Sequence, residues 1–473
     1  MVALHLWPCV ILCYTWRHTV QVPGIKRLGI PSLNLNDGPQ GFRDPAHPGT
    51  STCWPSGLSI AATWDPAAAR RWGAAMGAEF RAKGANVQLG PGLNVARLPQ
   101  EGRNFEYISG EEGALGAKLA GPVISGIQSA GIIANAKHYI LNSQEHDRGS
   151  PNLGPVKIGA PVSEEASERT RWEVYMPPFE AAVRAGVGSV MCAYNRVNGT
   201  AACADPQTLV KDLKGTLGFG GWVMSDWAAA HSAVASAVGG LDQEMPLAAH
   251  FNPLGLGLGL LEGSLSRREL TAKAARILTA MFAAGLFDRP PDGSLASNVT
   301  SPTHARLARS FAANSSVLLR NAPRAAPASA SAATAAATAS SFATSSSSAT
   351  ASSSATASSS ATASSATASS ATASPSAAAK PKPVLPIGPD VRSIVVLGAA
   401  AHVAPIVHGL GSGLVAPPYV ISPLAGLIAR NAQQLRPATI TYAVVHALQP
   451  HALQPHARIQ PATLCLQPAT LYL

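Results

Sequence analysis

An α/β fold on a parallel, barrel-forming sheet is what the sequence predicts, from three observations. Between Gly29 and Met245 one unit recurs: an amphipathic helix, a glycine, a short apolar strand. Strands alternating with helices of this length pair in parallel, and many successive right-handed crossovers favour a closed barrel over an open sheet. Several strands end abruptly on polar side chains, above all Val223-Met224-Ser225-Asp226-Trp227, and strand ends are where such barrels place their chemistry. An isolated strand-end Asp more often caps the next helix, here an alanine-rich one expected from about Ala228.

Each element has its own signal. Residues 32–36 read as the first strand. Asp65-Pro66 reads as an N-cap followed by proline at the first helical position, and Trp72, Met76 and Phe80 then recur on one helix face. Gly84 stops that helix and 86–89 follows as a strand. Leu115, Leu119, Val123 and Ile127 form the next stripe, with Pro122 expected to kink it, and 132–135 is the strand beyond. Strands follow at 189–192, 222–224 and 241–245, with helices around Leu209 and over 228–238 between them. Six strands can be counted where a closed barrel needs eight, and the shortfall lies before Gly29.

Beyond residue 300 the pattern changes. Residues 302–321 read as a helix running into a strand at 316–319, and 322–379 are Ala/Ser/Thr with Ser-Ala-Thr-Ala repeats, a composition that cannot bury a core and predicts a disordered linker. Order resumes at 384–387, and 392–398 is a strand. The segment Gly409-Leu410-Gly411-Ser412-Gly413 has the look of a phosphate loop, with no Lys-Ser/Thr after it. The tail repeats His-Ala-Leu-Gln-Pro from His446 and Gln-Pro-Ala-Thr-Leu from Gln460, which has no core or turn logic.

The formal charge of +10 is not a nucleic-acid signal. Residues 301–473 hold ten of the 35 basic residues and one of the 25 acidic ones, so the part of the chain beyond residue 300 carries nearly all of it. No Lys/Arg run exceeds two, no apolar run is long enough to span a membrane, and nucleic acid and a membrane span are both excluded as expectations. The six cysteines lack zinc-type spacing, so no metal and no cofactor is expected. Cys192 and Cys203 bracket a short loop, and a disulfide or two buried thiols fits the spacing equally well. Sequons at Asn198, Asn298 and Asn314 permit a secreted or cell-wall location, although the apolar stretch 4–16, with Pro8 inside it, makes a poor signal peptide.

The chemistry-bearing residues follow successive strands: Asp37, Arg103, Lys137-His138, Arg148, Tyr194 and Asp226-Trp227. One at a time each has a bland reading: Arg103 a surface ion pair, Lys137 solvated, Tyr194 core. Together they are what a sugar site needs. Asp37 can accept from two neighbouring hydroxyls, the cations and His donate to hydroxyl oxygens, and Trp offers a flat apolar face for a pyranose. A carboxylate below the anomeric carbon can act as nucleophile through an oxocarbenium-like transition state.

On these residues the chain resembles glycoside hydrolase family 3, and within it the β-glucosidases. The resemblance runs from about Gly29 to Pro246, more weakly over 302–321 and 384–430. It is carried by Asn36-Asp37-Gly38-Pro39, Gly102-Arg103-Asn104-Phe105-Glu106, the run from Ala136-Lys137-His138 to His146, Val190-Met191-Cys192-Ala193-Tyr194-Asn195, and Val223 to Trp227. It implies a (β/α)8 TIM-type barrel followed by an α/β sandwich, incomplete here. The implied layout is an atypical leader over 1–28, a catalytic barrel over 29–300, the start of a second domain over 301–321, a linker over 322–383, a truncated sandwich over 384–430 and a repeat-rich tail over 431–473. Retaining hydrolysis of terminal β-D-glucosyl residues is the implied activity, on a β-glucoside or oligosaccharide. Asp226 would be the nucleophile. Asp37, Arg103, Lys137, His138 and Tyr194 would hold the non-reducing-end sugar with Arg148 nearby, and Met191 and Trp227 would line the entrance or next subsite.

The sequence departs from the family pattern at the second carboxyl group. In family β-glucosidases that acid/base is usually a Glu from the second domain, beyond the Ser412 loop; here no Glu follows Glu269, and Asp390 is the sole acid after residue 300. Glu145 and Asp147 are the nearest barrel carboxyls that could substitute. The alternatives are a sugar-binding family 3 fragment impaired in catalysis, or a β-xylosidase-type activity. A half-built sandwich would leave apolar faces uncovered, which predicts aggregation or proteolysis beyond about residue 322.

Overall fold

The computed structural model describes residues 20–145, 161–290, 292–322, 383 and 385–444. Arg148, Asp147, most of the Ala/Ser/Thr linker and the terminal repeats lie outside the described residues. The chain divides into two units. One comprises residues up to Val317 together with Gly398–Gly426; the other comprises Leu318–Leu397 and Leu427–Val444.

The first unit is built on a nearly closed, barrel-like sheet of seven strands whose spatial order follows the chain: β1 (Val20–Val22), β2 (Leu33–Asp37), β3 (Val87–Leu89), β4 (Ile133–Tyr139), β5 (Ser189–Cys192), β6 (Trp222–Trp227) and β7 (Gln243–Met245). Every pairing from β2 onward is parallel, as the alternation predicts. β1 was not expected. It lies in the stretch read as a leader and pairs antiparallel with β2, Val20 opposite Leu35, because a three-residue Val-Gln-Val strand is too short to show a period.

Strand alternation sorts two cores. Leu33, Leu35, Val87, Leu89, Ile133, Met191, Trp222, Met224 and Met245 point into the barrel, where Ile277 and Met281 of helix Arg267–Ala283 join them. Ala134, Ala136, Val190 and Val223 point outward to the helices. There α1 (Pro66–Ala82) buries Trp72, Met76 and Phe80, and α2 (Gly113–Gln128) buries Leu119, Val123 and Ile127. The two helices meet backbone to backbone at Gly73, where a Cβ would run into the Val123 carbonyl. Asp65 caps α1 as expected, its carboxylate accepting from Ala67 N–H at 2.8 Å. α2 carries Pro122 in its interior without interruption.

Two elements differ from expectation. The helix after β6, α3 (Ala233–Gly239), begins five residues later than Ala228, and its N-cap is Ser232. Ala228 instead has φ +58° and turns the chain sharply, its N–H held by the Met245 carbonyl at 2.9 Å. Residues 316–319 form no strand: after α4 (Pro302–Asn314) the chain runs on without sheet partners among the described residues, and Val317, Leu318 and Leu319 are exposed. In the second unit β8 (Ser393–Leu397), at the expected place, pairs in parallel with β9 (Thr439–Ala443), which the sequence reading did not find.

Candidate active site

The C-terminal ends of the strands open into one cleft of about 1540 Å³, and eight of the nine predicted site residues line it. Asp37 ends β2, Lys137 and His138 stand near the end of β4, and Tyr194 follows β5 by two residues. Asp226 and Trp227 close β6; Arg103 comes from the loop after β3, and Met191 from β5. The ninth, Arg148, lies outside the described residues. Arg103 and Lys137 are not the surface groups their types suggest, since their side chains are only 15% and 2% exposed.

Asp226 does not cap a helix. Its Oδ1 accepts the Trp227 N–H at 2.6 Å, and its Oδ2 is buried with no hydrogen bond among the described residues. Beside Oδ2, at 3.4 Å, stands His138 Nε2. His138 is held at both ring nitrogens, Nδ1 being 3.1 Å from the Tyr107 hydroxyl and Nε2 3.1 Å from Arg103 Nη2. The positive φ at Ala228, one of few non-glycine residues in that region, sits directly after Asp226-Trp227, where strain is commonly held at working sites.

The carboxylates of the cleft differ in charge preference. Burial raises the Asp37 carboxyl above its usual range, although Lys137 and Arg43 pull it down; Arg43 Nη1 is 3.5 Å from Asp37 Oδ2. Burial also works to raise Glu106, but Arg103 and Lys137 outweigh it and hold it below the usual range. Burial pushes Glu244 up, against hydrogen bonds from the Phe251 and His250 N–H groups. Burial pushes His231 down, with His250 adding to the effect.

Sequence reasoning missed Glu106, Tyr107, Arg43, His231, Glu244 and Ser412. Glu106 had a signal, three residues after Arg103 in one loop; Tyr107 reads as any core aromatic. Ser412 belongs to the segment taken for a phosphate-loop look-alike. That segment is cleft wall: Gly409 and Gly413 lie against the Phe105 ring where a Cβ would not fit, and Ser412 Oγ donates to Glu106 Oε2 at 3.2 Å.

Among the described residues no group of three or more His, Cys, Asp or Glu side chains is arranged to hold a metal ion, and no helix is long and apolar enough to cross a membrane. Cys192 and Cys203 form a disulfide just behind Tyr194, which resolves the two readings of their spacing. The arrangement offers one buried carboxylate oxygen without a hydrogen bond among the described residues, in a cleft that also presents Arg103 and Lys137 to neutral hydroxyls, which is chemistry for attack on an acetal carbon.

Known proteins share this architecture. The chain is 43% identical over 274 residues to a probable β-glucosidase A of Aspergillus terreus, covering 56% of this chain and 31% of that protein. It is 43% identical over 319 residues to a probable β-glucosidase L of Emericella nidulans, covering 63% and 41%. The chain thus spans less than half the length of these relatives. Among solved structures, it is similar to the β-glucosidase DesR of Streptomyces venezuelae in complex with D-glucose (TM-score 0.58, 34% identity, 64% of this chain and 39% of that one). It is also similar to a β-D-glucoside glucohydrolase of Trichoderma reesei (TM-score 0.71, 28% identity, 93% and 55%). The model of the glycosyl hydrolase family 3 N terminal domain matches residues 17–279, more than half of the sequence, and with the cleft at the strand ends this makes the chain a member of glycosyl hydrolase family 3.

Proposed function

We propose that this chain hydrolyses terminal non-reducing β-D-glucosyl residues with retention of configuration, on a (β/α)8 barrel followed by an α/β sandwich, in a secreted setting. The observation that carries the reading is the Asp226 carboxylate at the end of β6. Its Oδ2 is buried yet turned to a cleft that also presents Asp37, Arg103, Lys137 and His138. Asp226 attacks the anomeric carbon, the bond to the leaving oxygen breaks, and a glycosyl-enzyme forms that water then opens. Asp37 and the cations hold the hydroxyls of the non-reducing-end sugar and Tyr194 packs beside it; Arg148, outside the described residues, is proposed as a further ligand of that sugar. Met191 and Trp227 border the next subsite, Trp227 being 37% exposed and so free to stack on a sugar face.

The leaving oxygen needs a proton. Glu145 lines the cleft, with Oε1 3.8 Å from Arg103 Nη1, and is our candidate donor within the described residues. Turnover of an activated aryl β-glucoside and of cellobiose, with Asp226→Asn as control, tests the whole reading. Hydrolysis of both supports a working donor; hydrolysis of the aryl substrate alone supports the nucleophile without the donor. No hydrolysis by folded protein refutes the enzymatic reading and leaves sugar binding.

A further inference from the structure

We propose that Glu106 is the positioning residue of this cleft: one buried carboxylate sets both cations, Arg103 and Lys137, and seats the 408–413 wall against them. The proposal deepens the glucoside reading and rests on it.

The three partners come from three separate parts of the chain. Arg103 Nε donates to Glu106 Oε1 at 2.5 Å from within the same loop. Lys137 Nζ, on β4, stands 3.4 Å from Oε2. Ser412 Oγ donates to the same Oε2 at 3.2 Å. The Glu106 side chain is 1% exposed, so these contacts are shielded from water and salt, unlike a surface ion pair. Two buried cations without a counter-charge would repel each other and bear the full cost of desolvation. With Glu106 between them their net charge falls to one, and their remaining donors are free to serve a ligand. Other charged groups face the same spot: Asp37 from β2, His138 beside Lys137, Asp226 from β6, and Glu145 and Glu101 on the Arg103 side.

The neighbouring residue fixes the wall. The Phe105 ring occupies the space that a side chain at Gly409 or Gly413 would need, so only glycine lets the segment lie flat enough for Ser412 to reach Glu106. Both Glu106 oxygens are engaged by protein groups, so it acts on a sugar through Arg103 and Lys137 and takes no chemical step of its own.

The test uses the full chain and four variants: Glu106→Gln, Glu106→Asp, Ser412→Ala and Gly409→Ala. Glucose affinity by calorimetry, and kcat and KM on an aryl β-glucoside, are followed from pH 5 to 9, with melting temperature as the folding control. Glu106→Gln should raise Kd and KM by about 10-fold or more, with a smaller fall in kcat. It should also move the alkaline limb of glucose binding to lower pH, because two cations then face each other in a buried site. A residue that only supports the fold would lower the melting temperature and leave that limb in place. Glu106→Asp keeps the charge and should restore the limb while KM stays raised. Ser412→Ala and Gly409→Ala should raise KM by a few-fold at every pH. Wild-type affinity in Glu106→Gln, or a loss equal at all pH values, overturns the proposal. If Glu106→Gln does not fold, Glu106→Asp decides, and an unchanged KM there overturns it. A wild-type chain that neither binds nor cleaves glucosides overturns the glucoside reading itself, an outcome distinct from a variant that matches an active wild type.

Discussion

His138 Nε2 lies 3.4 Å from Asp226 Oδ2 and within hydrogen-bond distance of Arg103, and it cannot serve both in the same way. A guanidinium only donates, so Nε2 accepts from Arg103 and the ring proton sits on Nδ1, donated to the Tyr107 hydroxyl at 3.1 Å. Asn142 Nδ2 donates to that hydroxyl as well. This tautomer, assigned from donor chemistry, leaves Asp226 Oδ2 unshared. Tyr107→Phe removes the acceptor and lets the proton move to Nε2, against Arg103 and toward Asp226. We expect kcat/KM on an aryl β-glucoside to fall about 10-fold with the melting temperature little changed. Asp226→Asn should cost on the order of 10⁴-fold and abolish covalent labelling by a 2-fluoro-glucoside, and persistent labelling would refute Asp226 as nucleophile.

The Cys192–Cys203 disulfide joins the end of β5 to the helical turn Ala202–Ala204 and spans the hairpin that follows Tyr194. Closing so short a loop is worth about 2–3 kcal/mol on a chain-entropy account. Cys203→Ser should lower the urea midpoint accordingly and raise KM, because Tyr194 loses its anchored neighbour. An unchanged KM at the lowered midpoint would separate the bridge from the cleft.

Much of this was legible in advance, for a reason visible in the strands themselves. Parallel strands buried on both faces tend to appear as apolar runs that end at the barrel mouth, so Asp226-Trp227 announced itself as a polar break after Trp222-Val223-Met224, while Asp37 and Lys137-His138 close strands that already carry Asn. What stayed hidden was relational. Tyr107 looks apolar by type, and its role as His138's partner depends on two chain segments meeting 31 residues apart. Ser412 reaches Glu106 across 306 residues, which no local spacing encodes. β1 is three residues long, and 316–319 has the composition of a strand but no strand partner among the described residues. Local apolarity proposes a strand; only a neighbour makes one.

Glu101 predicts a pH dependence of stability. Burial pushes its carboxyl up to about 7, with Glu145 adding to the effect while the Arg103 N–H works against it; its Oε1 is buried without a hydrogen bond among the described residues. A carboxyl raised from about 4.5 on folding binds more protons in the folded state between those values. Its contribution is therefore full below about pH 4.5 and is lost as pH rises through about 7, by at most about 3 kcal/mol. Glu101→Gln should flatten that decline, so that the variant is the more stable of the two at pH 8. Urea denaturation across pH 4.5–8 measures it, and parallel curves for the two proteins would exclude Glu101 as the source.

Asp242 supports the opposite end of the barrel and gives the sharpest stability test. The residue is fully buried at the start of β7. Lys214 Nζ donates to its Oδ2 at 2.8 Å, Arg276 Nη1 to its Oδ1 at 2.9 Å, and the Val223 N–H to Oδ2 at 2.8 Å; Lys273 Nζ is 3.8 Å away. Three cations thus share one carboxylate, and burial lowers Lys273 to about 8 despite Asp242. Asp242→Asn removes the sole counter-charge among these contacts and should destabilise the chain at pH 7 by about 3–5 kcal/mol. The folded-state lysine sits below its unfolded value of about 10.5, so the unfolded chain binds more protons between about 8 and 10.5 and stability rises with pH across that window. The Asn variant leaves Lys273 still more reluctant to carry charge, so its folded state gives up that proton at lower pH, and its deficit should shrink as pH climbs toward about 8 and level off above it. Denaturation of both proteins at pH 7 and pH 9.5 decides the matter: a deficit that holds constant would mean the lost hydrogen bond to Val223, not the crowded cations, is what Asp242 is there to prevent.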